Sequence, residues 1–210
     1  SKAHNRTILT KRRACNKLST KDVSNFKTSK WIYLSSLMGN GFKAQKKLAR
    51  ESRANVAYNP SEYQIKDEDI SSILKFTDVL VFNRREAKLL TGKKDVKKQV
   101  KSACKMGPKM VCITDGPHGD YLYDSNEGNF YSMKPHKIKI KERTGAGDAF
   151  ASSLVAGLHK KKDIKFAMRL ALVNSESVIM YHGAKNKLLS YRSALKKIRK
   201  NTPRIKKEKL

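Results

Sequence analysis

The chain has 210 residues, a length that predicts one domain with a sizeable hydrophobic core. No apolar run reaches about 18 residues and the N-terminal region is polar, so neither a membrane span nor a secretory signal is predicted. The formal charge of +29 predicts non-specific attraction to polyanions, but no RNA-binding or zinc motif is visible. The three cysteines are widely spaced, which favours reduced thiols and a cytoplasmic location.

Strand-like apolar runs and helical patterns alternate through the first half of the chain. Strands are predicted at residues 6–10, 31–34, 56–58, 79–82 and 110–113. Helices are predicted at residues 42–52, 69–76, 84–90 and 96–106. This alternation is typical of an α/β fold in which helices cover both faces of a mostly parallel sheet.

The pattern changes in the second half. Short strands predicted at residues 121–123, 130–132 and 138–140 indicate an antiparallel addition at one edge of the sheet. Helices are predicted from Ala149 onward, at residues 164–180 and at residues 191–200. We therefore assign residues 1–200 to one domain and predict that residues 201–210 form a frayed, basic C-terminal tail.

Asn83 and Glu86 follow the predicted strand that ends at Phe82. The carboxyl ends of parallel strands are where ligands of open α/β folds bind. An amide and a carboxylate there can orient the water shell of Mg²⁺. The same spacing also fits a helix capping box, and the two roles are compatible.

Thr114, Gly116 and Gly119 follow the predicted strand at residues 110–113. Glycines in such a loop let the backbone approach a nucleotide closely, because they have no Cβ atom. An ordinary turn between two strands fits the same pattern.

Gly145, Ala146, Gly147 and Asp148 come directly before a run of helix-forming residues. Unpaired N–H groups at a helix N-terminus bind anions, a transferring phosphoryl group among them. Asp148 at the rim of such a site could accept a proton from an attacking hydroxyl. A tight turn with Asp148 as a helix-capping residue is the structural alternative.

These motifs, in this order, resemble those of the ribokinase-like (PfkB) carbohydrate kinases. The pattern Asp-Thr-x-Gly-Ala-Gly-Asp of that family corresponds to residues 142–148, Asn-x-x-Glu to residues 83–86, and Thr-x-Gly-x-x-Gly to residues 114–119. The resemblance covers most of the chain and implies a three-layer ribokinase-like core. It also implies that the N-terminal part and the lid of the family fold are largely missing, so we expect the chain to be a piece of a longer protein.

The resemblance implies a role for each matching residue in the transfer of a phosphoryl group from ATP to an alcohol. Asp148 would be the catalytic base, and the amides of Gly145, Ala146 and Gly147 would form the anion hole. Asn83 and Glu86 would hold Mg²⁺ indirectly, through water. Thr114, Gly116, Gly119 and Asn174 would face the nucleotide, although Asn174 also fits a plain polar helix position.

Two residues depart from the family pattern. Glu142 and Arg143 stand where the family usually has Asp and Thr, in a loop that binds a monovalent cation in relatives. A longer acid and a fixed positive charge could disrupt that cation site. Arg143 either replaces the cation electrostatically or is a solvated surface charge.

The function that the resemblance implies is that of an ATP-dependent carbohydrate kinase acting on a sugar or sugar-like alcohol. A nucleoside kinase of the same fold is the alternative among enzymes. The alternative outside the enzymes is a catalytically incompetent fragment that binds nucleotide or RNA. Monomer and homodimer both remain open. A lysine-rich composition without any nucleic-acid role accounts for the charge equally well.

Overall fold

The computed structural model describes residues 17–23 and 29–210. In these residues seven strands form one sheet: β1 (Trp31–Ser35), β2 (Asn55–Asn59), β3 (Val79–Asn83), β4 (Met110–Thr114), β5 (Asp120–Asp124), β6 (Asn129–Met133) and β7 (Ile205–Lys209). The helices of the described part are α1 (Asn40–Glu51), α2 (Glu62–Asp67), α3 (Ser71–Leu74), α4 (Arg84–Thr91), α5 (Val96–Cys104), α6 (Ala146–Lys161), α7 (Ile164–Ile179) and α8 (Tyr191–Lys200).

The strands lie in the sheet in the same order as in the chain, from β1 to β7. The pairings from β1 to β4 are parallel, and those from β4 to β7 are antiparallel. Every parallel crossover advances in the same direction, so right-handed connections put α1 to α5 on one face of the sheet. Helices α6 and α7 cover the other face, which completes the three layers of the expected α/β fold.

Alternate strand residues face the two layers, as the period of a β-strand requires. Leu80 and Phe82 pack into the core beneath the first layer of helices, and Val79 and Val81 pack into the core beneath α6 and α7. A Cβ atom on Gly157 would lie 2.6 Å from the Cα of Ala167, so this glycine allows α6 and α7 to pack closely. None of the helices in the described ranges is long and apolar enough to cross a bilayer.

The predicted elements between residues 31 and 132 are confirmed to within a few residues. Helix α2 was not predicted, because its signal is short; Ser61 caps it by accepting a hydrogen bond from the amide of Gln64. The strand predicted at residues 138–140 is wrong, since residues 134–141 are irregular and help to line a cavity instead. The strand predicted at residues 6–10 lies outside the described residues.

The prediction of a frayed C-terminal tail is also wrong. Residues Ile205–Lys209 form β7, which pairs antiparallel with β6. Ile205 packs against the core beneath α6 and α7, and Lys97 Nζ lies 2.9 Å from the Glu208 carboxylate. The ladder of hydrogen bonds to an otherwise open strand outweighs the poor strand propensity of a lysine-rich segment.

Candidate active site

The carboxyl ends of β1 to β4 bring several of the predicted site residues to one edge of the sheet. Asn83 and Thr114 are direct partners in the parallel pairing of β3 with β4. Two motifs that are thirty-one positions apart in the sequence therefore begin side by side, as the resemblance predicts.

Asn83 and Glu86 form a capping box at the start of α4. Asn83 Oδ1 accepts hydrogen bonds from the amides of Arg85 and Glu86 at 2.9 and 3.0 Å, and Glu86 Oε2 accepts from the Asn83 amide at 2.8 Å. Burial, and then the negative charge of Glu62, raise the pKa of Glu86. A nearby cation would stabilise this poorly solvated carboxylate, so the capping geometry and a role toward Mg²⁺ are compatible.

The N-terminus of α6 has the open backbone expected of an anion site. Gly145 precedes the helix with φ = 85°, and a Cβ atom there would collide with the carbonyl oxygen of Ala184. No side chain caps the helix, and a Cβ atom added to Gly147 would meet nothing within 4 Å. The Ala146 amide, in contrast, donates to the Arg143 carbonyl at 3.3 Å. Gly147 is therefore the most accessible of the three predicted anion-hole positions.

Asp148 is exposed in the first turn of α6. Its negative charge adds to the effect of burial in raising the pKa of Tyr33, so the two side chains share one region. The Tyr33 hydroxyl donates to Asn59 Oδ1 at 3.2 Å, and Asn59 Nδ2 donates to the Val81 carbonyl at 2.7 Å. The sequence analysis did not assign Tyr33; its position on a parallel strand near the carboxyl edge was the available signal.

A cavity of about 800 Å³ lies beside the N-terminus of α6. Thr114 and Gly116 of the nucleotide loop line it together with Ala146 and Gly147. The structure therefore brings the predicted nucleotide loop and the predicted anion hole to one cavity.

Two predicted nucleotide residues do not line this cavity and have structural contacts instead. Gly119 has φ = 126°, and a Cβ atom there would lie 2.6 Å from the Met133 carbonyl oxygen. Asn174 Nδ2 donates to Ser153 Oγ at 2.6 Å, and its Oδ1 accepts from the Leu189 amide at 2.8 Å. Asn174 thereby ties α7 to α6 and to the segment before α8.

Three titratable residues line the cavity that the sequence analysis did not assign: Asp120, His136 and Glu176. Glu176 accepts from the backbone amide of His136 at 2.8 Å, and its second oxygen lies 2.8 Å from His136 Nδ1. Burial raises the pKa of Asp120 to about 8, and the charges of Glu176 and Asp115 raise it further in the same direction. A strand-initial acid in an otherwise apolar run was the only signal for Asp120 in the sequence.

No group of three or more His, Cys, Asp or Glu side chains within the described ranges is arranged to hold a metal ion. Mg²⁺ is normally held through its waters and the phosphates of a nucleotide, with one or two carboxylates. The half-buried Glu86 and the adjacent Asn83 fit that kind of site.

The two residues that depart from the family pattern have different surroundings. Glu142 Oε2 accepts a hydrogen bond from the Gly183 amide at 2.8 Å and lies 3.8 Å from His182 Nδ1. Arg143 is exposed and lines the cavity. A fixed guanidinium charge at this position opposes a second cation beside it, so the loop does not fit a monovalent-cation site well.

Comparison with known proteins agrees with this arrangement. The profile described as "pfkB family carbohydrate kinase" matches residues 1–190. The chain belongs to the pfkB carbohydrate kinase family. The structure and the sequence motifs both place the family's matching residues at one edge of the sheet.

Two curated relatives and one solved structure illustrate the similarity. The cytidine kinase of Thermococcus kodakarensis is 32% identical over 134 residues, which cover 62% of this chain and 48% of that protein. The 5-dehydro-2-deoxygluconokinase of Clostridium botulinum is 27% identical over 136 residues, covering 61% and 40%. A putative ribokinase II from E. coli, solved in complex with ATP and Mg²⁺, has a TM-score of 0.80 at 19% identity, covering 90% and 65%. The chain spans about half the length of these curated relatives.

Proposed function

We propose that this chain carries the phosphoryl-transfer half of an ATP-dependent kinase whose acceptor is the hydroxyl of a sugar or sugar-like molecule. The observation that carries the proposal is the single cavity lined by both Thr114–Gly116 and Ala146–Gly147, with Asp148 in the same helix turn. The relatives named cytidine kinase and 5-dehydro-2-deoxygluconokinase, and the neighbour with bound ATP and Mg²⁺, support the reaction class.

In this proposal each part of the edge acts on a different section of the substrates. The loop at Thr114 and Gly116 holds the nucleotide, and the amides at the start of α6 stabilise negative charge on the transferring phosphoryl group. The oxygen of the acceptor hydroxyl forms a bond to the γ-phosphorus while the bond to the β-phosphate oxygen breaks and ADP leaves. Asp148 accepts the proton of that hydroxyl.

Asn83 and Glu86 are proposed to hold water molecules of Mg²⁺, which when bound would neutralise charge on the phosphates. The raised pKa of Glu86 reflects a carboxylate whose charge is poorly compensated by the protein alone. A bound dication would restore that compensation, because an opposite charge nearby favours the ionised form. We derive no step through a monovalent cation.

A nucleoside is the second candidate acceptor. The observation that favours it is the 32% identity to a cytidine kinase, the highest value among the relatives described above. A sugar acceptor is supported by the 5-dehydro-2-deoxygluconokinase similarity and the family description. A cytoplasmic location remains a prediction from the cysteine usage.

Calorimetric titration of the folded chain with ATP and Mg²⁺ tests the nucleotide half of the proposal. We expect saturable binding that weakens when Mg²⁺ is omitted. Turnover assays with a panel of sugars and nucleosides then test the acceptor, with ADP release as the readout. A folded chain that binds no ATP at millimolar concentration, with or without Mg²⁺, contradicts the proposal.

A further inference from the structure

Asp120 is a buried acid that the mechanism above does not use. It is 6% exposed, lines the cavity, and pairs with Thr114 of the nucleotide loop across β4 and β5. None of the hydrogen bonds formed within the described residues involves its carboxyl oxygens. A buried polar group without a partner is costly, so a group that faces a cavity in this state points to a partner that the cavity would hold.

The neighbours of Asp120 determine which kind of partner that is. Glu176 is buried, and both of its oxygens are already engaged with His136. Asp115, at the other side, is 3.9 Å from the Arg84 guanidinium. With the pKa of Asp120 raised to about 8, its carboxyl group is mostly neutral at neutral pH and offers one donor and one acceptor side by side.

This part of the cavity is unsuited to phosphate. Two acidic side chains, Asp120 and Glu176, would repel an anionic group. The other walls around them are apolar and include Pro117, Pro135, Ile138, Phe150, Leu172 and Ile179. Apolar walls with a few convergent polar groups suit a flat, uncharged heterocycle, so the base of the nucleotide is the section of the ligand that fits here.

The negative charge around Asp120 also favours one kind of base edge. An edge that pairs a ring nitrogen with an amino group, as on adenine and cytosine, accepts from the carboxyl O–H and donates to its carbonyl oxygen. An edge with a carbonyl group in place of the amino group, as on hypoxanthine and uracil, would bring that oxygen toward Glu176. Amino-bearing bases are therefore preferred on electrostatic grounds.

We propose that Asp120 is the specificity-determining residue for the nucleotide base and selects the amino-bearing edge of adenine or cytosine. The proposal rests on the proposed kinase function, because it requires a nucleotide in this cavity. It assigns to Asp120 a contact with the base, and not with the ribose or the phosphates.

The experiment compares matched nucleotides on the folded 210-residue chain with Mg²⁺ at neutral pH. ATP against ITP, and CTP against UTP, change only the amino group to a carbonyl. We expect the wild-type chain to prefer the amino-bearing member by about 10-fold or more, the usual worth of a two-point contact with a base edge. Asp120→Leu should reduce each preference to about 3-fold or less, whereas Asp120→Asn, which keeps a neutral donor and acceptor, should retain it.

Inorganic tripolyphosphate and 2′-deoxy-ATP serve as controls for the phosphates and the ribose. Tripolyphosphate should bind the wild-type chain and Asp120→Leu equally, and replacing ATP by 2′-deoxy-ATP should leave the effect of Asp120→Leu unchanged. Asp120→Ala provides a second loss variant, and thermal unfolding shows that each variant is folded.

The outcomes separate this proposal from the function on which it rests. A wild-type chain that binds no nucleotide overturns both. A wild-type chain that binds ATP and ITP equally, or an Asp120→Leu variant with the wild-type preference, overturns the Asp120 proposal alone. An effect of Asp120→Leu that disappears with 2′-deoxy-ATP assigns the residue to the ribose and also overturns it.

Discussion

At the scale of single residues, Asp148 has two roles that its position permits. A carboxylate in the first turn of α6 interacts favourably with the positive end of the helix dipole, and the same carboxylate can accept a proton. Tyr33 and Asn59 lie near it at the carboxyl ends of β1 and β2. A helix-terminal charge and a catalytic base differ in what an amide replacement does to turnover.

We expect Asp148→Asn to lower turnover of the active kinase by roughly 10²–10⁴-fold, because the amide keeps the size of the side chain but cannot accept the proton. ATP affinity and the unfolding midpoint should change little. Steady-state turnover, calorimetric titration and thermal unfolding are the measurements.

Asp163→Asn is the matched control for Asp148→Asn. Asp163 caps α7 by accepting a hydrogen bond from the Phe166 amide at 3.1 Å, and Asn caps a helix about as well as Asp. The control should therefore retain both turnover and stability. Near-normal turnover in Asp148→Asn would remove the catalytic assignment and leave a helix-terminal charge.

At the scale of secondary-structure elements, the start of α4 combines a structural and a proposed functional role. The capping box satisfies backbone amides that the helix itself leaves unpaired. The same side chains stand at the carboxyl edge of the sheet, where Asn83 is paired with Thr114. Replacements that keep the cap but remove the amide separate the two roles.

We expect Asn83→Ser to keep the stability of the protein and to weaken the Mg²⁺-dependent part of ATP binding. Serine caps a helix about as well as asparagine, but its shorter hydroxyl cannot reach as far toward a hydrated cation. Asn83→Ala should in addition cost about 1 kcal/mol of unfolding free energy, since it removes the cap. Denaturant unfolding and ATP titration with and without Mg²⁺ measure the two effects.

The outcome for Asn83→Ser decides between the roles. If its ATP titration shows the wild-type dependence on Mg²⁺, Asn83 is a capping residue and does not contribute to a magnesium site. The loss of stability in Asn83→Ala alone supports only the capping role.

The sequence predicted those elements best whose local signals agree with the tertiary structure. The strands up to β6 have apolar runs bounded by turns, and α4 has a capping motif that is visible in the sequence. Residues 138–140 alternate like a strand but find no partner, and Ile205–Lys209 lacks strand propensity but pairs with β6. Pairing between segments about seventy residues apart carries no local signal, and the same limit applies to the contact of Asp120 with Glu176.

At the scale of the whole molecule, the charge of +29 is the property that most affects interactions in solution. Several lysines lie over exposed or half-buried aromatic rings, such as Lys160 over Tyr191 at 5.5 Å and Lys187 over Tyr181 at 5.5 Å. The basic residues occur on many elements and not on one groove. This distribution favours polyanion binding without sequence preference.

We expect the chain to bind single-stranded RNA weakly, with little dependence on sequence and a steep loss of affinity as salt is raised, because the release of counterions drives such binding. Fluorescence anisotropy with two unrelated RNAs across a salt series measures it. Tight binding to only one of the two at physiological salt would show a dedicated RNA site in place of a general basic surface.

The order of the strands has a consequence for how the protein is made. Each strand from β1 to β6 pairs with the strand before it in the chain, so a growing polypeptide can extend the sheet as each segment leaves the ribosome. Strand β7 is the exception, because α6, α7 and α8 separate it from β6. The edge of β6 therefore stays open until the last residues have been synthesised, and the nascent chain is most exposed to edge-to-edge association during that interval.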